Sequence, residues 1–436
     1  METTLRTPGL LDQLFYYMFS EYESCSIVLN VRLKMAVSPT KLTAALRLAL
    51  MRNASFREMP VIDREGRLKL MANPIPAEVY PYDPAPVNYG TTDTNYYMFR
   101  LMYRDREIIL SAFHGLTDGR GIMMFARTLL YYYFEAFGIS INPGDKVLTL
   151  DTPEDPTEMV DSMRHFANSG ADKPPERKAE QVFRLPMEPY PVDTSGRDHR
   201  FRICFETESL MKIARAAGTT FTPVFSALVA RAVYRTFDTK GRTISMLGAV
   251  DERPFYGSKS LLNFTELYRV PFIPALCEAD LEIQARIIKD DVMARQITKE
   301  RFDQRLYEEL QAREILFSPP LTNTNHLTTL RRQLWKDEAF YATFFVTNVG
   351  TTDLPEEMNG LIESADIFVS NLNAHPYFVV LTHGDLTIVN VVQRFPGDFL
   401  ARRVYETLVD AGVKAAFEDS GMWRYDKFFV RNLRRI

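Results

Sequence analysis

The chain has 436 residues, 46% hydrophobic and 25% charged, with a formal net charge of −4. That length supplies two or three packed domains, and a pI near 6.0 without a basic face excludes nucleic acid as an expected partner. The three cysteines, Cys25, Cys204 and Cys277, lie far apart and form no C-x-x-C, which excludes a zinc knuckle or a disulfide framework and fits a reducing, cytoplasmic setting.

The opening Met1-Glu2-Thr3-Thr4-Leu5-Arg6 lacks the basic and apolar regions of a signal peptide. Residues 15–19 are apolar but far shorter than the roughly 20 residues that spanning requires, so no transmembrane segment is expected. Residues 26–35 alternate and read as a strand. Ser38-Pro39 then offers an N-cap and a first-turn proline to a helix whose apolar stripe is Leu42, Ala45, Leu46, Ala49 and Leu50. Residues 60–110 read as short strands broken by Pro and Gly. The last of them leads into His114-Gly115-Leu116-Thr117-Asp118-Gly119, and an apolar run over 122–137 reads as a helix leaving that turn.

Eight prolines between 143 and 191 dissolve the pattern and mark a linker or crossover, in which 159–166 can hold a helical turn or two. Residues 201–205 open the second half as a strand. A helix starts at Ser209 and ends at Gly218. Another starts at Thr220 with Val224, Phe225, Leu228, Val229, Ala232 and Val233 on its apolar face. The strand-then-helix opening thus occurs twice, near 26 and near 201. A strand over 345–350, a strand pair over 378–381 and 386–393, and a helix over 396–411 follow.

A strand that delivers a histidine to a glycine-bearing turn presents the side chain best suited to proton transfer near neutral pH. Asp118 either caps the following helix or pairs with a cation elsewhere. The aromatic run Tyr131-Tyr132-Tyr133-Phe134 reads as helix core. His375 and His383 carry no metal-ligand spacing with His114, and no metal site is expected. No G-x-S-x-G and no reactive-cysteine context is present, so covalent acyl-enzyme chemistry is not expected. Nucleotide-phosphate loops are absent as well.

The motif H-x-x-x-D-G, carried by His114, Asp118 and Gly119, resembles the signature of the coenzyme A-dependent acyltransferase superfamily. That group includes chloramphenicol acetyltransferase, plant HxxxD acyltransferases, alcohol acetyltransferases and peptide-synthetase condensation domains. The likeness continues along the chain. Ala249-Val250-Asp251-Glu252-Arg253-Pro254 with Leu262-Asn263-Phe264 looks like the condensation-domain arginine strand and its Asn-Phe loop. Phe345-Val346-Thr347-Asn348-Val349-Gly350 looks like the late strand of alcohol acetyltransferases. The first histidine of the condensation-domain H-H-x-x-x-D-G is Phe113 here, and the plant-type D-F-G-W-G loop is absent.

The resemblance implies an α/β fold of two chloramphenicol-acetyltransferase-like halves, each a mixed sheet with helices, with an active-site tunnel between them. The expected division is 1–142 for the first half, 143–195 for the crossover and 196–436 for the second half. The implied function is transfer of an acyl group from a coenzyme A thioester to an alcohol, or an amine, with His114 as general base and the ring's other nitrogen held by a backbone carbonyl. Acyl-coenzyme A is then a co-substrate, and no tightly bound cofactor is expected. Asp118 is implied to pair with Arg253 and to shape the turn. Gly115 and Gly119 are expected to adopt backbone angles closed to other residues, Gly119 leaving room for the thioester arm. Asn263, Thr347 and Asn348 are candidates for the tunnel wall or the oxyanion donors. The alternatives are a condensation-type enzyme that takes its donor from an acyl carrier protein, and a non-catalytic binding relative.

Overall fold

The computed structural model describes residues 5–18, 25–168, 182–185, 197–323, 325–330, 342–370 and 375–436. The strand read over 26–35 runs Ser26–Leu33 and is buried along most of its length. It pairs antiparallel with the motif strand Glu107–Phe113, Ser26 lying opposite Phe113. The five-stranded sheet has the spatial order Ile362–Val369, Ser26–Leu33, Glu107–Phe113, Phe99–Arg104, Val79–Pro81. The helix Pro39–Arg52 begins at its proline, and all five expected stripe residues are buried. It packs on the motif helix Gly119–Glu135, in which Tyr131, Tyr132, Tyr133 and Phe134 are core residues.

The second sheet has seven strands in the order Thr265–Phe272, Ile244–Asp251, Phe344–Thr351, Tyr377–His383, Leu386–Gln393, Arg197–Glu206, Ala415–Arg424. Phe344–Thr351 is parallel to both of its neighbours; the other pairings are antiparallel. The helix Phe221–Thr236 buries its whole expected apolar face, plus Ala227 and Ala230, against the core of this sheet. Each large aliphatic or aromatic side chain so buried stabilises the packing by about 1.5–3 kcal/mol. The preceding helix is Thr207–Ala216, starting two residues before Ser209, whose hydroxyl instead donates to the Glu206 carbonyl at 2.6 Å. Gly218 ends the segment at φ +65°, where a side chain would be strained.

Three strands cross the expected division of the chain. Ile362–Val369 leaves the second half and pairs with Ser26–Leu33, becoming the edge of the first sheet. Lys427–Phe428 pairs with Asn88–Tyr89, and Arg434–Arg435 pairs with Val61 and Ile62. The closing helix, Phe399–Asp410, is therefore not the end of the architecture: Ala415–Arg424 edges the seven-stranded sheet, Lys427–Phe428 forms a two-stranded sheet with Asn88–Tyr89, and Arg434–Arg435 joins a three-stranded sheet with Glu58–Ile62 and Leu68–Ala72. Within the crossover, Asp161 caps the short helix Ser162–Phe166, and Val182 bridges to Thr243. The remainder of 143–195 beyond residue 168, apart from 182–185, lies outside the described residues. Among the described residues no single helix is long and apolar enough to cross a membrane.

Candidate active site

The motif strand is buried throughout, and the His114 amide extends its ladder by donating to the Cys25 carbonyl at 2.7 Å. A turn closed by Leu116 N–H to the Phe113 carbonyl at 2.9 Å then reverses the chain into the helix. Glycine is required here for space, not for backbone angle: neither Gly115 nor Gly119 has a left-handed φ, contrary to expectation. A Cβ on Gly115 would lie 2.4 Å from a ring carbon of Phe113, and one on Gly119 would lie 3.2 Å from Val349 of the second half. The tightest approach is at Gly121, where a Cβ would stand 2.2 Å from both the Leu261 carbonyl oxygen and Thr117 Oγ1. Sequence reading passed over that glycine because one of the two groups it avoids, the Leu261 carbonyl, comes from the other half.

Asp118 is 1% exposed and does both things proposed for it. Its Oδ1 accepts the amides of Arg120 and Gly121 at 3.0 and 2.9 Å, an N-cap on the motif helix. Arg253 Nη2 donates to the same oxygen at 3.1 Å and to Oδ2 at 3.0 Å, and the Phe264 amide donates to Oδ2 at 2.8 Å. Arg253, itself 4% exposed, opens the short helix Arg253–Tyr256. It donates further to the Ser260 carbonyl at 2.6 Å, the Leu262 carbonyl at 2.5 Å and Asp251 Oδ1 at 2.8 Å. Burial works against the guanidinium charge, but Asp118 and Asp251 outweigh it and hold its pKa above the ordinary value. The ion pair thus staples the motif turn to the loop 258–264, a junction that Thr117 reinforces by donating to the Leu261 carbonyl at 2.6 Å.

That loop places Asn263 against the histidine. Asn263 Oδ1 lies 3.1 Å from His114 Nδ1, while Nδ2 donates to the His114 carbonyl and to Asp12 Oδ1, each at 2.8 Å. A carbonyl and a carboxylate only accept, so the amide nitrogen must face them and its oxygen must face the ring. An acceptor at Nδ1 requires Nδ1 to carry the proton, which leaves the lone pair on Nε2. Among the described residues Nε2 makes no hydrogen bond. The sequence reading expected a backbone carbonyl to hold the ring. The residue's own carbonyl contributes, but the side-chain amide of Asn263 makes the bond at Nδ1. Burial pulls the imidazole pKa below its usual value, opposed by that carbonyl, Asp118 and Asn263.

The helix Leu10–Met18 covers the ring. Phe15 stacks on the imidazole with centroids 4.0 Å apart and planes at 14°. Asp12, one turn earlier, is 2% exposed, and burial pushes its carboxyl up to about 7. Neither residue was singled out from the sequence; the sole signal was an acid inside the apolar stretch 10–18.

Phe344–Thr351 places two further candidates on opposite faces. Phe344 and Val346 belong to the second core, whereas Phe345 and Val349 pack toward the first. Strand alternation therefore turns Thr347 toward the first half and Asn348 away from it. Asn348 is occupied there: Nδ2 donates to Thr222 Oγ1 at 3.2 Å, and Oδ1 accepts the Gly350 amide at 2.9 Å. It does not line the His114 side. His375 and His383 are buried, His383 as the last residue of the strand Tyr377–His383, where its Nδ1 lies 2.9 Å from Thr352 Oγ1. Among the described residues no group of three or more His, Cys, Asp or Glu side chains could hold a metal ion.

Known solved structures share this fold. Polyketide synthase associated protein 5 from Mycobacterium tuberculosis superposes with a TM-score of 0.59 at 14% identity, over 93% of this chain and 98% of that one. The epimerization domain from the third module of tyrocidine synthetase B gives 0.58 at 12% identity, over 94% and 95%. Fusarium sporotrichioides TRI101, solved with coenzyme A and T-2, gives 0.56 at 12% identity, over 95% and 99%. No protein-family model matches the chain, and no curated protein matches it by sequence.

Proposed function

We propose that this chain, which has the α/β fold shared by coenzyme A-dependent acyltransferases and condensation domains, transfers an acyl group from a thioester to a hydroxyl. The observation that carries the reading is the Asn263 amide, whose nitrogen faces the His114 carbonyl and Asp12 and whose oxygen faces His114 Nδ1, a contact set that assigns the proton to Nδ1 and leaves Nε2 to accept. In this mechanism Nε2 takes the proton of the acceptor hydroxyl as its oxygen attacks the thioester carbonyl. The C–O bond forms, and the carbonyl oxygen becomes a tetrahedral oxyanion. Collapse restores the carbonyl and breaks the C–S bond, and the imidazolium returns the proton to the departing thiolate. Phe15, stacked on the ring, excludes water from one side of the base. Thr347 is the proposed hydroxyl donor to the oxyanion, on the face its strand turns toward the first half.

Coenzyme A is the proposed donor, supported by likeness to a protein crystallised with it. A carrier-protein donor is the second reading, supported by likeness to a peptide-synthetase domain. A thiol-release screen pairing short and long acyl-coenzyme A donors with an alcohol panel tests the proposal. Turnover is expected, and His114→Ala should lower it by about 10²–10⁴ in a folded protein. Release from a loaded carrier protein alone would favour the second reading. Wild-type rates in His114→Ala would overturn the mechanism. No acyl-enzyme should form, because burial raises the thiols of Cys25, Cys204 and Cys277 away from the reactive thiolate. Intact-mass measurement with donor alone should show an unmodified chain; an adduct chased off by acceptor would refute this.

A further inference from the structure

We infer that Asp12 is a positioning residue of this site, which orients Asn263 and thereby locks His114 in the tautomer whose Nε2 accepts a proton. The inference deepens the acyl-transfer reading and takes from it the meaning of that lone pair; the geometry itself stands apart. Asp12 sits 2% exposed on the helix Leu10–Met18, among leucines and aromatics. A carboxyl there is costly, and a helix serving only to cover the core would be served better by an apolar residue. Every oxygen of this one is used. Oδ1 accepts both the backbone amide of Asn263 at 3.1 Å and its side-chain Nδ2 at 2.8 Å. Oδ2 accepts the Gly9 amide at 3.1 Å.

The hydrogen bond from Asn263 Nδ2 is what gives the carboxyl a directional role. An isolated primary amide can turn over, exchanging its oxygen and nitrogen. Turned over, Asn263 would present N–H to His114 Nδ1 and favour the opposite tautomer, with the proton on Nε2 and no base at the reacting side. An oxygen that accepts at Nδ2, as Asp12 Oδ1 does, removes that option. The His114 carbonyl supplies one such acceptor and Asp12 the other. The helix is held firmly enough to do this. Arg6 Nε pairs with Glu58 Oε1 at 2.9 Å, the Leu10 amide donates to Asp161 Oδ2 at 3.2 Å, and the Tyr17 hydroxyl donates to the Phe317 carbonyl at 3.2 Å. One short element thus brings both the aromatic cover and the orienting acceptor to the histidine.

The test reads the tautomer directly, without substrate, so that its failure is separate from failure of the acyl-transfer reading. The full chain is labelled with 15N-histidine, and the His114 signal is assigned by its loss in His114→Gln. At pH 8 the wild type should show Nδ1 protonated. Asp12→Ala should shift a measurable fraction to the Nε2-protonated form, whereas Asp12→Asn, whose oxygen can still accept from Asn263, should hold the wild-type pattern. With any acyl-coenzyme A that supports thiol release, Asp12→Ala should lose about tenfold in kcat with little change in KM, as expected when the base holds the wrong tautomer, and Asp12→Asn should recover most of it. Asp12→Leu repeats the Ala test with the space filled. A purely structural role would lower melting temperature and leave the tautomer alone. An unchanged His114 signal in both Asp12→Ala and Asp12→Leu would overturn the inference.

Discussion

Removing the Asp118 carboxylate tests how the motif turn is held. Asp118→Ala deletes the cap on the amides of Arg120 and Gly121, worth about 0.5–2 kcal/mol. It leaves the buried Phe264 amide without its acceptor, at about 1–3 kcal/mol. It also removes one of the two carboxylates around Arg253. Breaking a buried pair costs about 3–5 kcal/mol when the survivor is left alone, but Arg253 keeps Asp251 and two carbonyls, so the low end applies. The total is about 4.5–8 kcal/mol, a large part of the roughly 5–15 kcal/mol that holds a typical domain together. Asp118→Asn should cost less, since one oxygen can still cap the helix, though its amide hydrogens then face the Phe264 N–H or Arg253.

The double mutant separates the two roles. Arg253→Met alone strands the Asp118 charge and the carbonyls of Ser260 and Leu262. Combined with Asp118→Ala it removes both charges, and urea denaturation should show a coupling of about 1.5–3 kcal/mol, the double mutant being more stable than the sum of the singles. Activity should not return, because the loop that carries Asn263 loses its staple. Stabilities that add within about 0.5 kcal/mol would refute the reasoning: Asp118 would then act as a cap alone.

Three further outcomes follow from the same contacts. Because burial depresses the His114 pKa, the neutral base should persist below the free-imidazole value. The acid limb of kcat/KM should therefore inflect below pH 6.5, and the stability tied to the neutral ring should be present above that pH and fall away as pH drops through the folded pKa; an inflection above pH 7 would contradict the burial argument. For Asp12 the sign is opposite: a carboxyl raised from 3.8 to about 7 favours folding at low pH and loses that contribution as pH rises through 7, on the order of 4 kcal/mol at pH 8. Asp12→Asn turns its NH2 toward the Gly9 amide, a cost that does not vary with pH, so its melting temperature relative to wild type should rise from pH 4 to pH 8; a difference independent of pH would refute the assignment. Gly121→Ala, whose Cβ would meet the Leu261 carbonyl and Thr117 Oγ1 at 2.2 Å, should cost about 1–3 kcal/mol and exceed Gly119→Ala, which meets only Val349 at 3.2 Å; equal melting temperatures would count against it.

What the chain discloses locally and what it withholds follow from the range of the interactions. The strand, turn and helix around His114 were legible because their signals are local: alternation before it, glycines in it, and a 3.6-residue apolar period after it. The same holds for Pro39–Arg52 and Phe221–Thr236. Asp12 and Asn263 are 251 residues apart, and no local period announces such a contact. The exchange of Ile362–Val369 into the first sheet was equally invisible, since its own pattern states only that it is a strand. In Phe344–Thr351 the alternation is blind for another reason: both faces are apolar, one toward each core, so period 2 cannot say which of Thr347 and Asn348 faces the His114 side.

This range also explains why a short motif needs the rest of the chain to become a site. Apart from the amides of its own helix and the strand contact to Cys25, every group that orients His114 or Asp118 arrives from at least 135 residues away or from the N-terminal helix. In the unfolded chain His114 is an ordinary imidazole, free to exchange tautomers and to protonate near pH 6.5. Folding brings Asn263 to one nitrogen, Phe15 to the ring face and Arg253 to the turn below it. The basicity and direction of the lone pair are thus properties of the junction between the two halves, so substitutions at Arg253, Asn263 or Asp12 should act on catalysis through His114.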